Sequence, residues 1–177
     1  MSAVSPPLQV RPAGPEDGFK LFSLSQEFVA NGLLRHRPLA DFEEQLGDFL
    51  TVSDGDRLIG CLAVRRLAGA PGAAVLYNFC VLPEYHGRGT GSALLAEATA
   101  RWAERGVRSL YTATVRRDNW FWQRRFRRVT ASEAPAAWLE QLDPARNSLL
   151  FVRELRAGVT ASPQADGWAT ETKEWAL

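Results

Sequence analysis

Lysine is nearly absent from this chain of 177 residues, where Lys20 and Lys173 are the two lysines among 21 basic residues. The basic residues are balanced by 20 acidic ones, so the net charge is +1. This balance argues against a protein dedicated to binding a polyanion, although it leaves local patches open. The preference for arginine over lysine is what a GC-rich coding sequence produces.

Cysteine and histidine are also scarce, with two residues of each. Cys61 and Cys80 stand in apolar runs, where a free thiol behaves as a small buried hydrophobe. With only His36 and His86 as histidines, no metal-ligand spacing can be assembled from the sequence. We therefore expect no metal site and a reducing, cytoplasmic location.

Long hydrophobic runs are missing as well. No apolar stretch reaches the ~18 residues that suggest a membrane-spanning helix, and the first residues lack the pattern of a signal peptide. The length and the 46% hydrophobic content suit one compact domain. We expect this domain over residues 1–156, a partly flexible tail over 157–177, no membrane partner, and a monomer or homodimer.

The hydrophobic pattern predicts a mixed α/β protein. Strands are expected at 8–11, on both sides of Asp54-Gly55, and at 73–81, 107–115 and 147–155; helices are expected at 15–30, 38–47, 91–105 and 118–127. This order favours helices packed on a mostly antiparallel sheet.

One turn of the chain points to chemistry. After a strand that ends at Val81, glycines stand at alternate positions, Gly87, Gly89 and Gly91, and a helix begins at once. Glycine permits positive φ and a close approach of ligand to backbone, while the first turn of a helix offers N–H groups at its positive end. Such a cradle fits a phosphate or pyrophosphate, to which Arg88 adds a charge. A turn that merely connects strand and helix is the alternative.

The same segment resembles the acyl-CoA-binding motif Gln/Arg-x-x-Gly-x-Gly/Ala of the GNAT N-acetyltransferase superfamily, with His86 in place of Gln or Arg. The resemblance implies a GNAT fold over most of the chain, with a mostly antiparallel mixed sheet of six or seven strands and helices on both faces. It implies acetyl-CoA as cosubstrate and direct transfer of the acetyl group to an amine. The cofactor-binding residues implied are Phe79, Cys80, Val81, His86, Gly87, Arg88, Gly89, Thr90 and Gly91.

A narrower resemblance concerns the segment from Gly32 to Pro38, which is similar to the acetyltransferase domains of N-acetylglutamate synthases. On this alignment Arg37 takes the position of an arginine and would bind a substrate carboxylate in bidentate fashion. The acceptor would then be a small, amino-acid-like amine. The alternative for Arg37 is a solvated loop between two helices.

The catalytic residues of the family match less well. Its glutamate on the fourth strand falls on Val75, and its tyrosine general acid falls on Phe121. Tyr77 shares a strand face with Val75 and is our candidate catalytic residue, although a reference pKa near ~10 makes tyrosine a poor base. A tyrosine that only fills the sheet face is the alternative. The resemblance also implies a β-bulge near Cys80 or Val81, with a backbone N–H that polarises the thioester carbonyl.

Two other functions stay open besides the N-acetyltransferase. Val75 and Phe121 suit a non-catalytic acyl-CoA-binding module. Eight arginines between residues 105 and 128, interleaved with Trp120 and Trp122, also suit a nucleic-acid-binding protein, contacts to CoA or an anionic substrate, or a solvated face. The even charge balance makes nucleic acid the least favoured partner.

Overall fold

The computed structural model of the protein describes residues 8–156, which form one seven-stranded mixed sheet in the order β1-β2-β3-β4-β5-β7-β6. The strands are β1 (Val10–Pro12), β2 (Phe49–Asp54), β3 (Arg57–Arg66), β4 (Ala73–Val81), β5 (Ser109–Thr114), β6 (Arg127–Val129) and β7 (Leu149–Glu154). The helices are α1 (Gly18–Ala30), α2 (Leu39–Glu44), α3 (Thr90–Glu104), α4 (Trp120–Gln123) and α5 (Ala136–Leu139). The predicted class, a mostly antiparallel mixed sheet of six or seven strands with helices, is confirmed.

The pairing of β4 with β5 is parallel, and all other pairings are antiparallel. The parallel pairing of β4 with β5 extends over three residue pairs and ends at Val75 opposite Tyr111, although β4 continues to Val81. At the next residue, the carbonyl of Leu76 accepts a hydrogen bond from the side chain of Thr112 at 3.1 Å. The two strands therefore diverge along the second half of β4.

A β-bulge interrupts β4 within this diverging half. Cys61 pairs with Cys80 and Ala63 pairs with Tyr77, so one residue of β3 faces two residues of β4, Asn78 and Phe79. Asn78 has a φ of 48°, in a region that asparagine tolerates better than most residues. The resemblance placed the bulge near Cys80 or Val81, and the structure places it earlier, at Asn78 and Phe79.

The buried side chain of Asn78 fixes this bulge. Its amide donates a hydrogen bond to Oγ of Ser25 in α1 at 2.9 Å, and both residues are at least 95% buried. A buried hydrogen bond that is lost leaves its partner unsatisfied at a cost of about 1–3 kcal/mol. The bulge is thus anchored to α1 as well as to β3.

The core is formed by the apolar faces of α1 and α3 against the sheet. Leu21, Leu94 and Leu62 are fully buried, and each such leucine contributes about 1.5–3 kcal/mol through burial. The fully buried Phe79, next to the bulge, packs edge-on against Trp120 with ring centroids 5.3 Å apart. Helix α4 is therefore attached to the strand that carries the bulge.

The region after β5 differs from the prediction. The expected helix over 118–127 ends at Gln123, because Arg125 adopts a φ of 66° and turns the chain into β6. This strand was not predicted, because Arg127 and Arg128 are exposed and give no alternating apolar pattern. It pairs with β7 at the edge of the sheet.

Elsewhere the helix and strand boundaries are close to the predicted ones. Helix α3 spans Thr90–Glu104, where 91–105 was expected. The second helix, expected over 38–47, is α2 followed by a 3₁₀ turn over Leu46–Asp48. The tail predicted for 157–177 lies outside the described residues. Within residues 8–156, no helix combines the length and the apolar character needed to cross a membrane.

Candidate active site

The glycine turn, which we define as residues 86–91, joins β4 to α3. Gly87 and Gly89 have φ values of 72° and 78°, and Gly89 is the N-cap of α3. A Cβ atom added at either glycine would meet no atom of the described chain within 4 Å. Glycine is thus required here by the backbone conformation, while the space above the turn is open to a ligand.

Helix α3 presents its N-terminus to this open space. Its first backbone hydrogen bond runs from the N–H of Ala93 to the carbonyl of Gly89 at 2.9 Å, and its first turn contains no acidic residue. The hydroxyl of Thr90 is buried, and it has no hydrogen-bond partner among the described residues. The positive end of the helix dipole and a polar hydroxyl are therefore both suited to an anionic ligand.

The side chain of His86 contacts the strand rather than the open space. Its Nε2 lies 2.7 Å from the carbonyl oxygen of Val81, so the tautomer with a proton on Nε2 donates there. The N–H of Leu82 bonds to β3 through Ile59 at 2.8 Å. Because backbone groups alternate along an antiparallel strand, the carbonyl of Val81 faces the side from which β5 has diverged. An extended ligand on that side would pair with the same backbone edge.

Arg88 lies above the glycine turn on an aromatic support. Its guanidinium carbon is 5.2 Å from the ring centroid of Tyr85, and the Tyr85 hydroxyl donates to Asp54 at 2.6 Å. Asp54 ends β2, so the turn is linked to the neighbouring hairpin. The guanidinium itself is exposed and available to an anion.

A second concave region, the arginine-lined cavity, lies on the other side of the bulge. Its volume is about 590 Å³, within the usual range for a small-molecule site. Asn78 belongs both to the bulge and to the wall of this cavity. The wall is formed by the α1–α2 connection, the middle of β4 and the segment from Trp138 to Ser148, with Arg35, Arg37, Arg65 and Arg146 among its side chains.

Two of these arginines hold the cavity wall together. Arg146 donates to the carbonyls of Gly32 and Leu33 at 3.2 and 3.1 Å, and Arg35 donates to the carbonyl of Gln141 at 3.0 Å. These bonds connect segments more than 100 residues apart in the chain. Their guanidinium groups thus hold backbone segments of the wall in place.

The other two arginines flank the ring of Tyr77. The guanidinium carbons of Arg37 and Arg65 lie 4.6 and 4.9 Å from the ring centroid. Within residues 8–156, neither guanidinium has a carboxylate oxygen within 4.0 Å. Burial lowers the pKa of Arg37, but an arginine starts so far above neutrality that it remains charged. The cavity wall therefore carries two charged guanidinium groups, of which Arg65 also donates to Oε1 of Gln141 at 3.4 Å, and both are suited to an anionic ligand.

Tyr77 is partly buried in the cavity wall and engages a carboxylate. Its hydroxyl lies 2.6 Å from Oδ2 of Asp48 and 3.1 Å from Oε1 of Gln45. Burial, followed by the hydrogen bond to Asp48, raises the pKa of Tyr77 far above its usual value. The side chain thus stays protonated at neutral pH and cannot act as a simple base.

Val75 and Phe121, which stand where the family has its glutamate and its tyrosine, lie in apolar surroundings. Val75 is 5% exposed, and Phe121 is buried with its ring centroid 6.5 Å from that of Phe79. The neighbouring Trp120 has a buried indole N–H with no partner among the described residues. Neither position offers a proton donor or acceptor to a reacting group.

The arginine cluster between 105 and 128 is partly used inside the protein. Arg116 pairs with Asp118 at 2.8 Å and Arg127 with Glu133 at 3.0 Å. Arg124 stacks 3.7 Å from the ring centroid of Trp120 and donates to Ser92 of α3 at 2.9 Å. Arg124 thus lies beside the first turn of α3, while the rest of the cluster is a less continuous cationic surface than the sequence suggests.

The two cysteines face each other across β3 and β4. Their Sγ atoms are 3.7 Å apart, and both thiols are free and fully buried. Burial raises the pKa of Cys80, which makes it a poor nucleophile. In the described part of the chain, no three His, Cys, Asp or Glu side chains are grouped as metal ligands.

The structure places the predicted site residues on β4, in the glycine turn that follows it and, for Arg37, beside Tyr77, and it adds others. Arg65, Asp48 and Gln45 were not predicted. Arg65 is the last but one residue of β3 and Asp48 ends a helical turn, so each has the sequence pattern of a surface charge. Only the pairing of β2, β3 and β4 brings them to Tyr77, which no local signal could have revealed.

Comparisons with known proteins agree with this architecture. Residues 19–128 match the model of the acetyltransferase (GNAT) family. The chain is 30% identical over 146 residues to an amino-acid acetyltransferase of Pseudomonas fluorescens and 31% identical over 147 residues to one of Pseudomonas aeruginosa. These alignments cover 82% and 83% of this chain but 34% of each relative, so the chain spans about a third of their length.

Solved structures show the same fold. The N-acetylglutamate synthase of Neisseria gonorrhoeae, complexed with coenzyme A and N-acetyl-glutamate, superposes with a TM-score of 0.78 at 24% identity, over 88% of this chain and 36% of that one. Rv2747 of Mycobacterium tuberculosis, in complex with CoA, superposes with a TM-score of 0.70 at 16% identity, over 83% of this chain and 99% of that one.

Proposed function

Because the chain belongs to the GNAT acetyltransferase family, we propose that it transfers an acetyl group from acetyl-CoA to the amine of a small, amino-acid-like acceptor. The observation that carries this proposal is the position of the bulge in β4. The glycine turn lies beyond the C-terminal end of β4, and the arginine-lined cavity opens beside the bulge, at Asn78 and Tyr77. Two substrates bound in these regions would meet at the bulge.

The residues of the glycine turn fit acetyl-CoA. The open space above Gly87 and Gly89 admits a pyrophosphate to the N-terminus of α3, and Arg88 supplies a further positive charge. The backbone edge from Phe79 to Val81, from which β5 diverges, fits the amides of a pantetheine arm. We assign the N–H that polarises the carbonyl to the backbone of the bulge.

When bound, acetyl-CoA supplies a thioester whose C–S bond breaks as the C–N bond to the neutral amine forms, and whose thiolate takes up the one proton that the acylated nitrogen releases. Arg37 binds the acceptor's carboxylate and so fixes its orientation. The oxygen of Tyr77 accepts a hydrogen bond from the amine, which aims the nitrogen lone pair toward the bulge. Phe79 and Trp120 exclude water from one side of the bulge.

Purified protein tests the proposal directly. Thiol release from acetyl-CoA is measured with amino acids and with the corresponding decarboxylated amines. We expect turnover with amino acids and much weaker turnover with the amines, since the latter leave Arg37 without an anion. Turnover confined to amines that lack a carboxylate would contradict the proposed acceptor.

A second candidate function is a non-catalytic acyl-CoA-binding module, which the apolar Val75 and Phe121 favour. Thermal unfolding with and without acetyl-CoA separates it from the enzyme. Stabilisation by acetyl-CoA without turnover on any amine would support the module, whereas no stabilisation would contradict both functions.

The location, the oligomeric state and the binding partners of the protein stay predictions. We propose a cytoplasmic location, which is compatible with the two free thiols of Cys61 and Cys80. A monomer or homodimer is likewise proposed. Nucleic acid remains the least favoured partner, and weak binding to single-stranded DNA in a salt titration would agree with that.

A further inference from the structure

The register of three strands brings Asp48 to the hydroxyl of Tyr77. Phe49 in β2 pairs with Ala63 in β3, and Ala63 pairs with Tyr77 in β4. The rings of Phe49 and Tyr77 meet edge-on with centroids 6.0 Å apart. Asp48 directly precedes Phe49, in the 3₁₀ turn that leads into β2. Its carboxylate therefore reaches a tyrosine that follows 29 positions later in the chain.

The hydrogen bond between the two side chains has a defined direction. A tyrosine hydroxyl carries one proton, and the charged Oδ2 of Asp48 at 2.6 Å is a stronger acceptor than the amide oxygen of Gln45 at 3.1 Å. The length of 2.6 Å is typical of an O–H donor on a carboxylate. With its proton directed to Asp48, the Tyr77 oxygen keeps a lone pair for a donor in the cavity.

Tyr77, Gln45 and Asp48 are not equally accessible from the arginine-lined cavity. Tyr77 and Gln45 line it, whereas Asp48 is not part of its described wall. A bound amine would thus touch Tyr77 but not Asp48. The charged side chains stacked against the Tyr77 ring are Arg37 and Arg65, which are cationic and cannot accept a proton. The carboxylate of Asp41 also lines the cavity, but the described hydrogen bonds of the Tyr77 hydroxyl run to Asp48 and Gln45.

We infer that Asp48 is a positioning residue that accepts, through the Tyr77 hydroxyl, the proton an acceptor ammonium must lose before it attacks. This inference rests on the proposed function. An N–H bond of the ammonium breaks as an O–H bond forms at Tyr77, and the original Tyr77 proton moves to Asp48. The products are a neutral amine, a neutral tyrosine and a protonated Asp48, which later returns its proton to water.

This relay reconciles a tyrosine that stays protonated with the need to remove a proton from the acceptor. The Tyr77 phenol is held protonated by burial and by Asp48, so it cannot take up a proton by itself. In the relay it receives one proton as it releases another, and no tyrosinate forms. The carboxylate lacking at Val75 is thereby supplied from the start of β2 instead of from β4.

The test compares Asp48→Asn, Tyr77→Phe and the double variant, with Asp56→Asn in the exposed β2–β3 turn as the matched control. Asparagine keeps an acceptor for the Tyr77 hydroxyl but cannot take its proton. We expect Asp48→Asn to lower kcat by about 100-fold, as the loss of a proton-transfer group does, with unchanged KM values for both substrates. The control should match the unmodified protein.

The double variant separates the relay from a merely structural role. If Asp48 acts through Tyr77, Asp48→Asn has no further effect on kcat in the Tyr77→Phe background. An equal effect in both backgrounds, an unchanged kcat, or a rise in KM alone would overturn the inference.

Two further results keep the test decisive. If Asp48→Asn does not fold, Asp48→Glu and Asp48→Gln are compared instead, and equal kcat values would overturn the inference. Absence of turnover by the unmodified protein would overturn the proposed function and, with it, this inference. Turnover with an unaffected Asp48→Asn overturns the inference alone.

Discussion

The glycine turn and the arginine-lined cavity lie on either side of one bulge but are built in different ways. The turn consists of six consecutive residues, and its suitability for an anion comes from backbone N–H groups and two left-handed glycines. The cavity is built from side chains of several segments, and Arg146 and Gly32, which hold two of them together, are 114 positions apart. The turn therefore depends on local backbone conformation, whereas the cavity depends on the whole tertiary structure.

This difference predicts different sensitivities to substitution. A change in the turn should affect mainly the binding of CoA, because a side chain added at Gly87 or Gly89 meets no atom of the described chain within 4 Å. A change in the cavity should alter either the acceptor KM or the stability, depending on whether the side chain faces the ligand or the wall. Four substitutions test the contrast, taken here from the largest expected effect to the smallest.

Gly89→Glu should abolish measurable CoA binding. It places a negative charge at the positive end of α3, where the proposed pyrophosphate binds. The positive φ of Gly89 adds a strain of about 1–2 kcal/mol to the folded state. Calorimetric titration with CoA and a thermal melt measure the two effects.

Gly89→Ala is the control, because it carries the same strain without the charge. Retained CoA affinity in Gly89→Glu would show that the glycine turn is only a connector between β4 and α3.

Arg37→Ala should raise the KM for an amino-acid acceptor by about 10- to 100-fold, as expected for a lost charged hydrogen bond of about 1.5–3 kcal/mol. The CoA affinity should not change, since the glycine turn lies beyond the bulge. Steady-state kinetics with the acceptor and with acetyl-CoA varied separately measure both quantities.

Arg35→Ala provides the contrast within the same loop. Its guanidinium binds the Gln141 carbonyl, so we expect a loss of stability and a smaller change in the acceptor KM. A larger KM effect for Arg35→Ala than for Arg37→Ala would contradict the assignment of Arg37.

Asn78→Ala should lower the free energy of unfolding by about 2 kcal/mol, because it removes the bond to Ser25 and places alanine at positive φ. Chemical denaturation measures this change. Asn147→Ala is the control, since Asn147 has a similar φ of 49° but is exposed. Equal losses in the two variants would mean that the Ser25 contact adds nothing to the stability.

His86→Gln should have the smallest effect. The substitution removes the imidazole from the Val81 carbonyl and installs the residue type common in the motif, while the backbone of the turn is unchanged. We expect the Kd for CoA to change by no more than about tenfold, the equivalent of one neutral hydrogen bond. A larger loss, measured by titration, would make the His86 side chain a main contributor to CoA binding.

The same difference explains what could be predicted from the sequence. The glycine turn and α3 were located to within one residue, because alternating glycines before an Ala- and Leu-rich run determine the local backbone. The fold class followed from the order of the elements. Arg37 is suggested by the resemblance of its segment to a family sequence, and the structure places it beside Tyr77.

What escaped prediction depends on contacts distant in sequence. Asp48 and Arg65 become site residues only through strand register, and β6 forms only because β7 is there to pair with it. The bulge could not be placed to the residue, because it depends on the bond between Asn78 and Ser25 of another element.

The three residue pairs that join β4 to β5 have a mechanical consequence. Strands β1–β4 form one half-sheet and β5–β7 another, and the backbone seam between them is short. A ligand bound along the β4 edge occupies the space that β5 leaves and binds only the folded sheet, so its binding free energy adds to the stability of the folded state. Heat resistance of the protein should therefore rise with the logarithm of ligand concentration once this exceeds the Kd.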